Sequence, residues 1–418
     1  MTDRVKLRPF CAALGIAVFG ISTAADATVH RVFPGESIQN AIDAAAPGDT
    51  ILVEPGTYTG DDSTYGLRIA TDNLRLIGKV IKGRGDAGKV RILHGGTQRT
   101  GVYAAPAGCD YNVGANSAVG QECKTRELKG FYIRGFTVEG FPVNGIQTRW
   151  VDGFEFVRNE SVNNLNNGIY PTLSANGLLQ NNVSYGSLDT AMWVAGSENV
   201  RVIGNELYGS VIGFEITVSN NVWVTQNRIY DNTVGIGLFH PNGAGNPPLP
   251  VMANWVIEHN DVRNNNRPNN ALPGTFQSFV PPGIGILVAG VSDHVIAKNT
   301  VEDNDFVGIA VLGWCAANDG TPNNCRARPP IADPRANNNL VAQNRVSGNG
   351  LDAPPIPIAF LAADLTYFEV EGSSGNCFEK NKPSGFTFFS SEPPFSFLTF
   401  ESGPLPTDGC KQGGPKKK

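Results

Sequence analysis

Apolar residues recur along this chain in runs of about five, alternating with polar positions and bounded by Gly, Asn, Asp and Ser. Such runs predict short strands separated by turns. Between Asn144 and Phe239 they become periodic. A glycine-led run appears as Asn144-Gly145-Ile146-Gln147-Thr148, Asn167-Gly168-Ile169-Tyr170-Pro171, Thr190-Ala191-Met192-Trp193-Val194, Ile212-Gly213-Phe214-Glu215-Ile216 and Val234-Gly235-Ile236-Gly237-Leu238. The small residue therefore returns every 22 to 23 positions. A second run in each repeat ends in asparagine, as in Val202-Ile203-Gly204-Asn205 and Val224-Thr225-Gln226-Asn227. A unit this short cannot bury its apolar face alone, so neighbours must stack. Strands returning at fixed pitch and in one direction pair in parallel, which predicts a parallel β-solenoid with two strands per coil.

Asn159, Asn181, Asn205, Asn227, Asn260, Asn299 and Asn344 each follow an apolar run. With coils about 4.8 Å apart, their amides are expected to form a vertical hydrogen-bonded row. This row reads as structural. The repeat resembles that of right-handed parallel β-helix proteins of the pectin-lyase-like superfamily. The opening Gly35-Glu36-Ser37-Ile38-Gln39-Asn40-Ala41-Ile42-Asp43, with Pro47-Gly48-Asp49-Thr50-Ile51-Leu52-Val53-Glu54-Pro55-Gly56-Thr57-Tyr58, is similar to theirs. The resemblance implies an all-β, single right-handed parallel β-helix over roughly residues 29 to 350. It does not imply an activity, because this fold carries lyases, hydrolases, epimerases, adhesins and accessory proteins.

The rest of the chain is organised around that core. Arg4, Lys6 and Arg8 precede an apolar stretch from Phe10 to Ile21 and the small-x-small triplet Ala25-Asp26-Ala27, so residues 1–27 read as an export signal. Ile38, Ala41, Ile42 and Ala45 have helical spacing behind Ser37, a residue suited to an N-cap. This helix is expected to close the open N-terminal end of the solenoid. Thr50 to Val53 and Leu74 to Ile77 read as the first strands. Excursions at 101–129, 240–253, 267–282 and 315–338 interrupt the pattern and are placed at turns. The boundaries expected are 28–351 for the β-helix, 352–410 for an irregular C-terminal cap and 411–418 for a disordered tail.

Composition refines the picture in three ways. A formal net charge of −5 argues against a nucleic-acid partner. The apolar core of the leader is too short to span a bilayer, so no membrane anchor is expected, and the mature chain reads as secreted or periplasmic and monomeric. Of 7 cysteines, Cys11 lies in the leader, and the remaining even number suits an oxidising compartment. Proximity pairs Cys109 with Cys123, Cys315 with Cys325, and Cys377 with Cys410.

Candidate chemistry follows from the alternation of the glycine-led strands. Ile146, Ile169, Met192, Phe214, Ile236 and Ile309 are assigned inward, and their neighbours outward. The outward row contains Gln147, Tyr170, Trp193 and Glu215, followed two positions on by Arg149, Thr172, Thr217 and Phe239. Aromatics pack on sugar faces while charged groups fix hydroxyls or carboxylates, so this row is expected to be an exposed polysaccharide groove along the solenoid axis. Gln147, Tyr170, Trp193 and Phe239 are the candidate substrate-binding residues. Glu215, Arg149, His240 and Asp189 are the candidate catalytic residues. A surface ion pair and turn-capping by Asp189 are the structural alternatives.

The superfamily's catalytic blocks do not transfer. Of the polygalacturonase blocks only an Asp-Asp is present, at Asp61 and Asp62, and the Asp-Pro-His-Asp of mannuronan epimerases is absent. Three functional classes stay open. The first is a lyase or epimerase on a uronic-acid polymer, for which the fold's pectate lyases imply Ca2+. The second is a non-catalytic glycan- or cell-surface-binding β-helix. The third is an accessory protein like the periplasmic β-helix linked to copper delivery for nitrous-oxide reductase, disfavoured by 5 histidines without paired spacing.

Overall fold

The structure, a computed structural model, describes residues 27–60, 64–239, 252–314, 335–368, 372–385, 387–390, 405 and 410. The export signal, the Asp61-Asp62 pair, His240, the Cys315/Cys325 pair and the lysine-rich tail lie outside the described residues.

The chain winds through three parallel sheets, one of 12 strands and two of 11. After the first strand, which joins sheet 1 alone, each coil contributes one strand to each sheet. Sheet 1 starts at Val29–Val32 and sheet 2 at Gly56–Thr59; sheet 3 starts at Tyr65–Ile69 and holds the glycine-led strands. The expected pairing holds: Asn144–Arg149 lies parallel to Asn167–Thr172 with Ile146 opposite Ile169, and Ile169 in turn lies opposite Met192. The expectation of two strands per coil is corrected to three. The missed strand is only three residues long, as in Val183–Tyr185 and Glu206–Tyr208, too short for an alternation to register.

Every residue assigned inward is fully buried: Ile146, Ile169, Met192, Phe214, Ile236 and Ile309 are 0% exposed and share one core with Val200, Val202, Val222 and Val224. The helix Ile38–Asp43 caps this core. Ser37 Oγ accepts from the Asn40 amide at 3.1 Å, and Ile38 and Ile42 are buried.

The asparagine row exists, with one correction. Its members are Asn159, Asn182, Asn205, Asn227, Asn260, Asn299, Asn344 and Asn381, each backbone N–H and side-chain amide donating to the next side-chain oxygen. Asn181 instead takes the left-handed turn position just before, at φ 54°, which asparagine tolerates. Two adjacent asparagines thus divide two turn roles. The row stays continuous where successive members are 33, 39 and 45 residues apart, so insertions leave the coil register intact.

The regular coils also continue past residue 351. Ala363–Phe368 extends sheet 3, Cys377–Glu379 sheet 1 and Lys382–Pro383 sheet 2. Cys109 is bonded to Cys123, and Cys377 to Cys410. Among the described residues no helix is long and apolar enough to cross a membrane.

Candidate functional site

Excursions cover the outer face of sheet 3 from both ends. Toward the N-terminus, the segment closed by Cys109–Cys123 builds an outer cluster with Tyr65, Tyr103, Ala105 and Trp150. Toward the C-terminus, residues 267–283 and the segment before Ala363 bury Val234, Phe239, Leu287, Ala310, Leu312 and Trp314 in a second outer cluster. Between the two lie the coils carrying Tyr170 and Trp193, which stay partly exposed. Their rings stack at 4.6 Å and 19°. The expected long groove is therefore corrected to a short opening about two coils wide, roughly 10 Å at the usual strand spacing.

The covered positions change character accordingly. Phe239 is not a solvent-facing aromatic; it is 2% exposed and meets Phe276 edge-on at 5.5 Å. Phe276 in turn stacks on Trp314 at 5.5 Å. Gly237 makes this possible, because a Cβ there would stand 2.3 Å from the Phe239 ring. Gln147 is also buried and accepts from the Asn144 amide at 2.9 Å. Arg149 faces out as expected, but its guanidinium is committed: Nη1 donates to the Asp110 and Tyr111 carbonyls at 3.2 and 2.8 Å, and the group lies 4.3 Å from the Trp150 ring centre. Its positive charge still acts on Tyr170. Desolvation dominates there and raises the phenol to about 12, against the pull of a Thr172 hydrogen bond and Arg149.

Glu215 and Asp189 come together, and neither is a surface residue. Glu215 is 3% exposed and Asp189 8%. Thr190 Oγ1 lies 2.7 Å from Glu215 Oε2 and 3.1 Å from Asp189 Oδ1, so the nearest carboxyl oxygens are within about 6 Å of each other. The reason they meet is local. Strand Thr190–Ala195 places Trp193 beside Glu215 of the next coil, and the first strand position turns Thr190 toward the same side. Gln277, from the helical turn Phe276–Phe279 of the 267–283 insertion, is a side-chain partner of Asp189 and lowers its value.

Burial dictates the protonation of the pair. Asp189 rises from 3.8 to about 7 through desolvation, opposed by hydrogen bonds from Thr190 and Gln277. Glu215 is raised well above its ordinary value, first by desolvation and then by the negative charge of Asp189. The two carboxyls therefore titrate together, above the range of ordinary carboxylates. Beside the pair, Trp193 Nε1 donates to Thr217 Oγ1 at 3.0 Å. One coil back, Asn167 Oδ1 is buried with no partner among the described residues.

Thr217 belongs to the outward row expected from the sequence, whereas Thr190, Gln277 and Asn167 were not singled out from it. The first position of the glycine-led strands does carry a signal. It reads Asn144, Asn167 and Thr190 before becoming Ile212, Val234, Ile284 and Val307. A polar track there ends at the carboxyl pair. Gln277 had no such signal, since only the tertiary fold brings the insertion over Asp189.

The fold is a right-handed parallel β-helix, with insertions closing over one sheet. A family profile described as a right-handed β-helix region matches residues 144–325. The mannuronan C-5 epimerase AlgE4 A-module of Azotobacter vinelandii is similar in structure, with TM-score 0.53, 16% identity and coverage of 83% of this chain and 90% of that one. So is DFA-IIIase of Arthrobacter chlorophenolicus A6 without its lid, in complex with GF2, with TM-score 0.52, 13% identity and coverage of 85% and 89%. At these identities the likeness is one of fold. A comparison with curated proteins finds no match.

Proposed function

We propose that this protein is a carbohydrate-processing β-helix whose reaction centre is the carboxyl pair Glu215 and Asp189. The observation that carries the reading is the pair itself: two desolvated carboxyls on one hydroxyl, both raised above the ordinary carboxylate range, beside a partly exposed aromatic stack. A sugar packs against the rim of Tyr170 and Trp193. Glu215 gives its proton to the leaving oxygen of a glycosidic bond. Asp189, anionic above about 7, supports the positive charge at the anomeric carbon or takes the proton of an incoming hydroxyl. Substrate exchanges its hydroxyls for the Gln277 contact as it enters. That a mannuronan epimerase and a DFA-IIIase share the fold agrees with a carbohydrate substrate. Export to an oxidising compartment is supported by the two disulfides.

A second reading, lyase or epimerase action on a uronic-acid polymer, is favoured by one observation: the Tyr170 phenol and the Arg149 charge act on each other from adjacent coils of the same face. Calcium does not fit the donors present. The pair offers two carboxyls with a hydroxyl and an amide, short of the oxygen cage Ca2+ takes. Among the described residues the one group of three ligand side chains is Cys377, Glu379 and Cys410, whose cysteines are disulfide-bonded.

The deciding experiment is a panel of neutral and uronic-acid glycans, followed for new reducing ends and for unsaturated-product absorbance. New reducing ends without absorbance, lost in Glu215→Gln and Asp189→Asn, support glycosidic-bond chemistry at the pair. Unsaturated product lost in Arg149→Ala or Tyr170→Phe supports the second reading. Binding without turnover would make the protein a glycan-binding module.

A further inference from the structure

We infer that Thr190 is the positioning residue of this site, orienting a shared proton between the two carboxyls in one direction, from Glu215 toward Asp189. The inference rests on the proposed role of the pair as the reaction centre. A threonine hydroxyl has one hydrogen to give and lone pairs to receive. It stands within hydrogen-bond distance of both carboxyls, 2.7 Å from Glu215 and 3.1 Å from Asp189. It cannot donate to both at once. It serves both only by donating to one carboxylate while accepting the O–H of the other.

The surroundings choose the direction. Asp189 has a second hydrogen bond, from Gln277, whereas Thr190 is the one side chain among the described residues that is hydrogen-bonded to Glu215. The better-solvated partner carries the charge, so the order is Glu215 O–H to Thr190 Oγ1, and Thr190 O–H to the Asp189 carboxylate. Three elements face the pair: its own strand with Thr190 and Trp193, the next coil with Thr217, and the insertion with Gln277. Among the described residues no cationic side chain acts on either carboxyl, and both carboxyls act on Tyr170 of the preceding coil. The ordering of the proton therefore falls to the Thr190 hydroxyl.

The order matters for turnover. When the Glu215 proton passes to a leaving oxygen, the glycosidic C–O bond breaks, and a hydroxyl or carboxylate oxygen bonds to the anomeric carbon. With water as the incoming group, its proton goes to Asp189. Passage of one proton from Asp189 to Thr190 Oγ1, and of the Thr190 hydrogen to Glu215, returns the charge to Asp189 and restores the starting state, the total charge of the pair unchanged.

The test needs no substrate. The protein is labelled with 13C at its Asp and Glu side-chain carboxyls and titrated by NMR, with Asp189→Asn and Glu215→Gln giving the assignments. Wild type is expected to show one carboxyl protonated through neutrality and one ionising near it. Thr190→Val keeps the β-branched shape and removes the hydroxyl. Its first ionisation is expected about one pH unit higher, because Asp189 loses a donor to its charged form. Thr190→Ser is expected to restore the wild-type curve. A Thr190→Val curve superimposable on wild type would overturn the inference, as would two carboxyls ionising in the ordinary range. Wild-type protein that turns over no glycan would count against the functional reading instead, and the titration would still decide the role of Thr190.

Discussion

At the scale of single residues, the site is a place where the chain tolerates a cost. Asp189 and Glu215 lose their hydration on folding, and hydrogen bonds from Thr190 and Gln277 offset only part of that loss. Linkage gives the sign of the consequence. An acid whose value is raised in the folded state contributes its full stability below the unfolded value, and that contribution is lost as pH rises toward the folded value. For Asp189 the window runs from 3.8 to about 7. Replacing it by Asn removes the ionisation, so Asp189→Asn is expected to be more stable than wild type at pH 7. The gain is a few kcal/mol at most, since displacing an ionisation by one pH unit is worth ~1.4 kcal/mol. Below about pH 4 the two are expected to converge. Urea denaturation of both proteins at pH 4 and pH 7 measures this. A variant less stable at both values would mean that the carboxylate is a structural partner, not a strained functional group.

At the scale of elements, two devices carry opposite demands. The asparagine row makes each turn rigid. Asn205 receives two donors from Asn182 at 2.9 and 3.0 Å, and its amide gives to the Leu179 carbonyl and to Asn227 at 3.0 and 2.9 Å. Asn205→Ala leaves several of these groups buried without partners and is expected to cost about 2–4 kcal/mol in denaturant unfolding. The exposed Asn181, one turn position away, is expected to lose less than half as much on the same change. The 267–283 insertion works differently, since it covers the site through Phe276, set against Phe239 and Trp314. Phe276→Ala is expected to loosen that cover while leaving the coils intact. The measurable outcome is a fall of the Glu215 and Asp189 titrations toward ordinary carboxylate values, with unchanged far-UV circular dichroism. The same contrast explains what could be read from the sequence. The inward positions and the coil direction follow from a local period of 22 to 23 residues, repeated from coil to coil. The burial of Phe239 does not, because its cover comes from the 267–283 insertion, outside the period. Tyr170 and Trp193 keep part of the exposure that alternation assigned to the whole row.

At the scale of the whole molecule, a solenoid distributes stability by neighbour contacts, so an end can open without its middle. The carboxyl pair sits on the coils of Thr190–Ala195 and Ile212–Thr217, with several coils of sheet 3 on either side. The C-terminal end is tied by Cys377–Cys410, which spans 33 positions, and loop closure of that length is worth roughly 3–4 kcal/mol in the chain-entropy account. Reduction is therefore expected to open the last coils first. Hydrogen exchange after thiol treatment should show lost protection in Ala363–Phe368 and Cys377–Glu379, while Thr190–Ala195 and Ile212–Thr217 stay protected. The Cys109–Cys123 bond gives an internal control, because it lies in the excursion over the other end of sheet 3, next to Tyr103 and Trp150. Its loss should release the Asp110 and Tyr111 carbonyls from Arg149 and change the Tyr170 environment without unwinding a coil. Simultaneous loss of protection in every coil on reduction would show that the molecule unfolds as one unit, and that the site's stability depends on its ends.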